Sequence, residues 1–574
     1  RGRFQAAWQR FCSDLDEQAQ TSTEEVVTLA EHYEHAARWL AVVADDYEVL
    51  DHMDWFFTTH VLGRLSSDLA LTGVALRGAV ADHSASLTAE RLTQLYRRLA
   101  WIFTVELESF ERKRYVSLSH EVNKAMNLNS YIGLMGGRYR ELLTPAGRAL
   151  SPSEDHVDLV VPDRDYILTL DADSVVMPEY CLRLVHLLEQ SHNADVAVAQ
   201  TPYSSYPGAS TRLERIAGAT TDLQHIAHQG MTFHEATFWV GANAVLRKRA
   251  LDDVMQTEWS GGWPIRRYIQ DRTVIEDTES SIDLVTHGWQ LSNYPERLSY
   301  SATPPDFGSL CIQRHRWANG GLLIVPKLWR YVRSNRARGE RTTFAELFLR
   351  INYMASVFWS SISLLLLLTL RFNGRLLSPL VFVAAAPYFI TMAMDLHYCG
   401  YKRLDVLRIY AFNLLLLPVN LAGASSSLVQ GLTGAKGQFR RTPKVRQRTV
   451  PALVYIVLPY ALVAISLYTL RRAYNEHLWA DAVFAAANAA LAVYAIVAFV
   501  GIRNSILDAW ANILALLYKP EPSLRPKQPR RSAPASIPTP EVALSDWERI
   551  LYFGSADPAH HSAPNGSAAA LEGN

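Results

Sequence analysis

Tyr166-Ile167-Leu168-Thr169-Leu170-Asp171-Ala172-Asp173-Ser174 decides how the chain is read. An apolar run, Tyr166 to Leu170, stops at two carboxylates one residue apart. A short run bounded so abruptly reads as a buried parallel strand. Met177-Pro178-Glu179 then opens a helical pattern from Tyr180 to Gln190, with Pro178 at the favoured first helical position. Two acidic side chains thus fall at the carboxyl end of a strand, where open α/β sheets bind ligands. Paired carboxylates there suit a hard divalent cation carrying a nucleotide diphosphate, with phosphate oxygens and water completing the shell. A solvated turn before a helix would use the same residue types, so the rest of the chain must decide.

The 574 residues allow more than one domain. The formal net charge is zero, so no global electrostatic partner is implied and no nucleic-acid partner is expected. Apolar content is uneven: the chain before about Ala345 reads as soluble, and long apolar stretches begin at Ile351. The four cysteines, Cys12, Cys181, Cys311 and Cys399, lack metal-ligand spacing and read as reduced, buried thiols. The chain opens at Arg1, not Met, and no signal peptide follows, so a fragment or trimmed product is the expectation.

Residues 1–100 read as a helical insertion or regulatory region. Thr21-Ser22-Thr23-Glu24 offers a capping-box start, and Leu29 to Val43 and Leu87 to Leu99 carry helical apolar spacing. Asp45, Asp46, Asp51 and Asp54 follow no strand and read as solvated.

The next segment holds the chemistry. Trp101 to Val105 reads as a strand, followed by Asn123-Lys124-Ala125-Met126-Asn127-Leu128-Asn129. Lys and Asn after a strand can meet phosphates and sugar hydroxyls, although a helix start explains them equally. Asp195 to Gln200 is another short strand. Phe238 to Arg247 has a Gly241-Ala242-Asn243 centre that permits close backbone approach to a ligand, or simply a tight bend. Glu276-Asp277-Thr278-Glu279 opens a helix ending at Gly288; the acids complement the helix dipole or supply a general base. Gln313-Arg314-His315-Arg316-Trp317 combines guanidinium forks suited to a pyrophosphate with a flat aromatic face suited to a sugar. A basic patch beside a membrane would also read this way.

In order, Asn-Lys-Ala-Met-Asn-Leu-Asn, Asp-Ala-Asp, Gly-Ala-Asn-Ala-Val-Leu-Arg, Glu-Asp-Thr-Glu and Gln-Arg-His-Arg-Trp form a series. The series resembles the family 2 glycosyltransferases of the cellulose synthase, hyaluronan synthase and chitin synthase superfamily, over about residues 100–502. The resemblance implies an α/β GT-A-like (Rossmann-like) cytosolic domain with a C-terminal α-helical transmembrane region. It implies that Asp171 and Asp173 hold the nucleotide and its Mg²⁺ or Mn²⁺, and that Arg316 stabilises the departing diphosphate. It makes Asp277 the base toward the acceptor hydroxyl. Lys124 and Asn129 would lie near the nucleotide, and Gln313, Arg314 and Trp317 would contact the substrates. One in-line attack would turn an α-linked donor into a β-linked product. The family's opening strand, its Asn-Glu pair and a further Asp find no match before Trp101, so the front of the catalytic domain is expected to be absent.

Four spans are expected at about 351–370, 377–396, 450–470 and 480–502, each near the 20 residues a bilayer needs. They place the basic clusters Arg330 to Arg341, Lys402 to Arg408, Lys436 to Arg448 and Arg525 to Arg531 on one, cytoplasmic side. Residues 404–432, with Pro418 and a run of serines, are expected to lie in the membrane surface. Behind them, Phe439-Arg440-Arg441-Thr442-Pro443-Lys444 is similar to the gating loop of cellulose synthase, with Thr442 and Lys444 toward the diphosphate and Arg441 where that family has Val. Residues 519–574 are expected to be disordered, with no cyclic-dinucleotide receptor domain. The divisions are therefore 1–100, 101–345, 346–518 and 519–574.

The expected function is a multi-pass plasma-membrane (bacterial inner-membrane) glycosyltransferase with its catalytic domain in the cytoplasm. It would extend a β-linked polysaccharide from a nucleotide-sugar donor, UDP-linked in the first reading, and translocate the glycan. Family frequency ranks glucose first and N-acetylglucosamine second. A homo-oligomer or accessory secretion subunits are the expected partners beside the glycan acceptor and the lipid bilayer. Single transfer to a lipid acceptor and a non-catalytic membrane partner of a synthase remain as alternatives.

Overall fold

The computed structural model describes residues 2–17, 22–81, 87–241, 243–369, 379–434, 442 and 448–518. Its central sheet follows from residue alternation. In the strand Ala244–Arg247, Ala244 and Leu246 enter one core and Val245 the opposite one. In Tyr166–Thr169, Ile167 lies on the first side, and Tyr166 and Leu168 on the second. A period of two with both faces apolar buries a sheet on both sides. Ile282 and Leu284 of helix Glu276–Thr286 cover one face. Tyr180, Leu184 and Leu188 of helix Tyr180–Glu189 cover the other.

The sheet is mixed, in the order Gln290–Asn293, Val196–Gln200, Ala244–Arg247, Tyr166–Thr169. The first pair is parallel and the next two are antiparallel. The Tyr166 run therefore departs from expectation. It ends at Thr169, and its one neighbour among the described residues, Ala244–Arg247, runs against it. Pro178 also falls outside its helix, which begins at Tyr180. A smaller mixed sheet starts directly after Asp173, with Ser299–Ser301 between Ser174–Val176 and Tyr203–Ser205. The segment 138–160 adds a separate three-stranded sheet.

The amino-terminal region is helical. Helices Gly2–Glu17, Thr23–Asp46, Arg64–Ala81 and Ala89–Ile102 share a core of Phe11, Leu29, Tyr33, Leu69, Leu92 and Tyr96. The cap of the second helix is Ser22, whose side chain accepts from the Glu25 N–H. Asp51 caps the short helix His52–Phe56, so it has a structural use beyond solvation. The expected strand at Trp101 to Val105 does not form. Trp101 and Ile102 are the last turn of a helix whose Leu92, Leu95, Tyr96 and Leu99 are buried on one face, and that longer periodicity outweighs local strand propensity. All four cysteines are free, but only Cys311 is buried, and Cys181 is exposed.

Among the described residues four helices are long and apolar enough to cross a membrane: Phe344–Thr369, Asp405–Thr433, Leu453–Asn475 and Trp479–Val500. They make this a membrane protein. Three coincide with the expected spans at 351–370, 450–470 and 480–502. The expected span at 377–396 falls on helix Pro379–Tyr398, which is not among the four. Residues 404–432 form one continuous helix that accommodates Pro418 and is itself long enough to span. Its apolar window is 56% buried, against 17% for Phe344–Thr369. Gly423 explains part of this: a Cβ there would lie 2.7 Å from the Ala318 Cβ and the His315 carbonyl, so the helix lies directly on helix Phe307–Ile324. The described residues before Leu514 form one compact unit. Lys444, the rest of the expected gating loop except Thr442, and the tail 519–574 lie outside the described residues.

Candidate active site

One cavity of about 1580 Å³ gathers the chemistry. Asp171, Asp173, Lys124, Asp277, Gln313, Arg314, Arg316, Trp317 and Thr442 all line it. Asp171, Asp173, Lys124 and Asp277 arrive from the ends of elements, and Gln313 to Trp317 from the middle of a helix. Asp171 and Asp173 form the turn between the strands Tyr166–Thr169 and Ser174–Val176. Lys124 opens the helix Lys124–Ile132, where Asn123 is the N-cap and accepts from the Met126 N–H. The helix-start reading of this segment therefore holds, and the Lys124 Nζ donates to Asp171 Oδ1 at 2.7 Å.

Asp277 sits in the first turn of helix Glu276–Thr286. Its Oδ2 accepts from the Gly241 N–H at 2.6 Å and its Oδ1 from the Thr278 N–H at 2.7 Å. Burial pushes its pKa up, and those two N–H groups and the charges of Lys124 and Arg316 oppose the shift. The adjacent Glu276 is likewise raised, by burial first and by the Asp277 charge second. Glu279 belongs to the same acidic cluster but points elsewhere: it pairs with Lys327 at 2.7 Å and accepts from the Thr273 N–H. Gly241 is required by geometry. Its φ is +80°, and a Cβ would stand 2.7 Å from the Tyr203 ring.

The helix Phe307–Ile324 carries the aromatic and basic wall. Asp306 caps it, accepting from the Ser309 N–H. Arg314 lies 4.6 Å over the Trp317 ring and 5.6 Å from Phe412, and it donates to Thr220 Oγ1 at 2.7 Å. Burial pushes its pKa down to about 10. Its Nε is buried without a partner among the described residues. A guanidinium enclosed in this way is poised to receive an anion.

Asn129 is the site residue the fold does not bring to the cavity. It is 1% exposed. Its Oδ1 accepts from the N–H groups of Tyr268 and Ile269, and its Nδ2 donates to the Ile269 carbonyl. That bonding uses its amide to tie two distant segments together. Tyr203 and Thr220 are among the lining residues that the sequence reading did not single out. Tyr203 follows the strand Val196–Gln200, so the strand-end rule could have found it. Burial raises its hydroxyl pKa, as do the charges of Asp277 and Asp171. Thr220 gave no local signal, because its partner Arg314 lies far along the chain. Thr442 is buried with its hydroxyl unpartnered among the described residues.

A family model described as glycosyl transferase family group 2 matches residues 166–394. The chain is 28% identical over 167 residues to the probable glucomannan 4-beta-mannosyltransferase 7 of Oryza sativa subsp. japonica, covering 29% of this chain and 26% of that protein. It is 27% identical over 165 residues to the probable glucomannan 4-beta-mannosyltransferase 11 of Arabidopsis thaliana, covering 28% and 34%. It is 24% identical over 165 residues to the cellulose synthase 1 catalytic subunit (UDP-forming) of Komagataeibacter xylinus, covering 28% and 20%. The chain thus spans between 20% and 34% of the length of these relatives. The matched segment begins at the strand leading into Asp171 and contains Asp277 and the Arg316–Trp317 pair, so residues 166–394 are similar to family 2 glycosyltransferases, among them glucomannan mannosyltransferases and cellulose synthase catalytic subunits.

Proposed function

We propose that the protein is a membrane-embedded inverting glycosyltransferase. It moves a sugar from a nucleotide donor, UDP-linked in the first reading, onto the end of a β-linked polysaccharide and passes the product through its own helices. The observation that carries this reading is the continuity of one cavity. It runs from Asp171 and Asp277, past Trp317, to Phe358, Tyr388 and Asn413 of helices Phe344–Thr369, Pro379–Tyr398 and Asp405–Thr433.

In this reading residues 101–345 are a GT-A-like domain facing the cytoplasm, 1–100 a helical layer and 346–518 the membrane region, with 404–432 beneath the catalytic domain. Gln313 and Trp317 hold the acceptor end of the glycan. Asp277 takes the proton of the acceptor hydroxyl as its oxygen bonds to the anomeric carbon, and the bond to the nucleoside diphosphate breaks with its electrons on the diphosphate. Arg314 and Arg316 oppose that developing charge, Lys124 lies near the nucleotide, and Thr442 lines the same cavity. Asp171 and Asp173 would hold Mg²⁺ or Mn²⁺. Their pair of carboxylates, one residue apart in a turn that lines the cavity, fits a hard cation whose remaining ligands would be diphosphate oxygens and water. When bound, the cation neutralises charge on the leaving diphosphate.

The names of the relatives support two donors, a glucosyl and a mannosyl nucleotide. The test is to offer the purified full-length protein a panel of nucleotide sugars with Mg²⁺ or Mn²⁺, and to follow nucleotide release and product size together. Release with a high-molecular-weight product supports the proposal and names the donor. Release with only a short lipid-linked product replaces polymer extension with single transfer, and no release on any donor supports a non-catalytic partner.

A further inference from the structure

We infer that the amino-terminal helical layer sets the position of the Asp171-Ala172-Asp173 turn, and that Phe56 is the positioning residue through which it does so. The inference rests on the reading of Asp171 and Asp173 as the place where the donor and its cation bind.

Phe56 is built into the wrong core for its place in the chain. The helices before residue 103 pack around a core of their own. Phe56, 2% exposed, instead belongs to the core formed by Met177, Tyr180, Leu184 and Tyr206 beneath the central sheet. Among the described residues it is the one fully buried side chain before residue 100 in that core, with Met53 and Val61 packed at its edge. Burying a large aromatic across two layers couples their positions, because close-packed cores pass displacement on rather than absorb it.

What Phe56 touches leads to the turn in one step. Its ring lies 5.4 Å from that of Tyr206 and 4.3 Å from that of Tyr300. The Tyr206 hydroxyl donates to the Asp173 carbonyl at 3.1 Å. Tyr300 sits in the strand Ser299–Ser301, paired with Ser174–Val176, whose first residue follows Asp173. The turn is therefore held by a hydrogen bond and a strand pairing, and both residues that provide them rest on Phe56. The Phe56 ring is also stacked from within its own helix. Residues Phe57–Gly63 form a π-helical segment, and His60 stacks on Phe56 at 4.8 Å with the rings 5° from parallel. Widened turns of this kind often mark functional positions. A second tether lies past the turn: Arg64 Nη2 meets Glu179 Oε1 at 2.7 Å, directly before helix Tyr180–Glu189. Residues 56–64 thus reach the turn segment at Asp173 through Tyr206 and at Glu179 directly.

A gap-filling aromatic would stabilise the fold without tuning the turn, and binding measurements without turnover separate the two. Calorimetry of Mn²⁺ with UDP would be run on the full-length protein in detergent for Phe56→Ala, Phe56→Leu, Tyr206→Phe and the double variant Phe56→Ala/Tyr206→Phe. Phe56→Ala should weaken binding roughly tenfold, the lower end of effects seen when outer-shell partners of a metal site are lost. Donor KM should rise in step while kcat stays within about twofold. Phe56→Leu should give a smaller shift, and the double variant should be no worse than its weaker-binding single variant, as two residues on one path require. Native affinity in Phe56→Ala despite a lowered thermal midpoint overturns the inference, as do additive effects in the double variant. If Phe56→Ala does not fold, Phe56→Leu and Arg64→Gln decide: a weakened Mn²⁺–UDP affinity in both supports the coupling, and native affinity in both overturns it. Asp173→Asn is the separate control. Unchanged Mn²⁺–UDP binding there overturns the reading of the turn itself, whatever the Phe56 variants do.

Discussion

Asp277 and Asp171 line one cavity and are held in opposite ways. The Asp277 carboxylate accepts two backbone N–H bonds, from Gly241 and Thr278, inside a helix start and a glycine bend. Backbone donors are fixed by the fold, so this carboxylate has one orientation. Asp171 is met by the Lys124 ammonium, a flexible cation at the end of four methylenes, and the pair keeps contact with water. The contrast separates two tasks. A base must point at one hydroxyl throughout the reaction, whereas a ligand for an arriving cation and diphosphate must exchange its partner. Glu279, two residues from Asp277, shows how local the distinction is: it spends its charge on Lys327 and takes neither task.

The contrast breaks first at Asp277. Asp277→Asn keeps the shape and one of the two backbone contacts, because its amide nitrogen cannot accept, and it cannot take a proton. Sugar transfer should fall by about 10²- to 10⁴-fold, the range a positioned general base supplies; steady-state transfer rates check it. On the other side, Asp173→Asn should weaken binding of Mn²⁺ with UDP by roughly 10- to 100-fold, read by calorimetry. A still smaller loss is expected from Lys124→Met. It removes the exchangeable partner of Asp171 and should raise donor KM about tenfold with little change in kcat, as donor titrations would show.

The pH profile sharpens the same contrast without a substitution. Burial raises the pKa of Asp277. Transfer should therefore fail on the acid side at a pH above about 4, where an ordinary carboxyl titrates. The sign for stability is opposite. A carboxyl raised in the folded state takes up its proton before the unfolded chain does, so its contribution to stability improves as pH falls through that window. Activity should be lost before the fold, measured as kcat/KM and thermal midpoint on one pH series.

What was legible in the sequence were features carried by neighbours in the chain. Asp171 and Asp173 stand where an apolar strand ends, and Asp277 where a helix begins. The glycine bend at Gly241 was visible as a sequence that allows close approach, and the structure uses it against the Tyr203 ring and for the N–H to Asp277. What was not legible depends on partners far along the chain. Asn129 is consumed by Tyr268 and Ile269, about 140 residues away, so no local pattern could show that its amide is unavailable. Asp277 and Glu279 are about 200° apart around a helix, but only the packing says which faces the cavity. Trp101 and Ile102 have the composition of a strand and the surroundings of a helix end. Phe56 carried no signal at all, because its place in a second core exists only after the chain has folded.

The most direct measurement is calorimetry of Mn²⁺ with UDP on Asp277→Asn beside the native protein, in the preparation that reads sugar transfer. Native-like affinity together with collapsed transfer is predicted, since Asp277 serves the acceptor and the Asp171–Asp173 turn serves the donor. Nucleotide affinity lost along with transfer, or transfer retained, would contradict it.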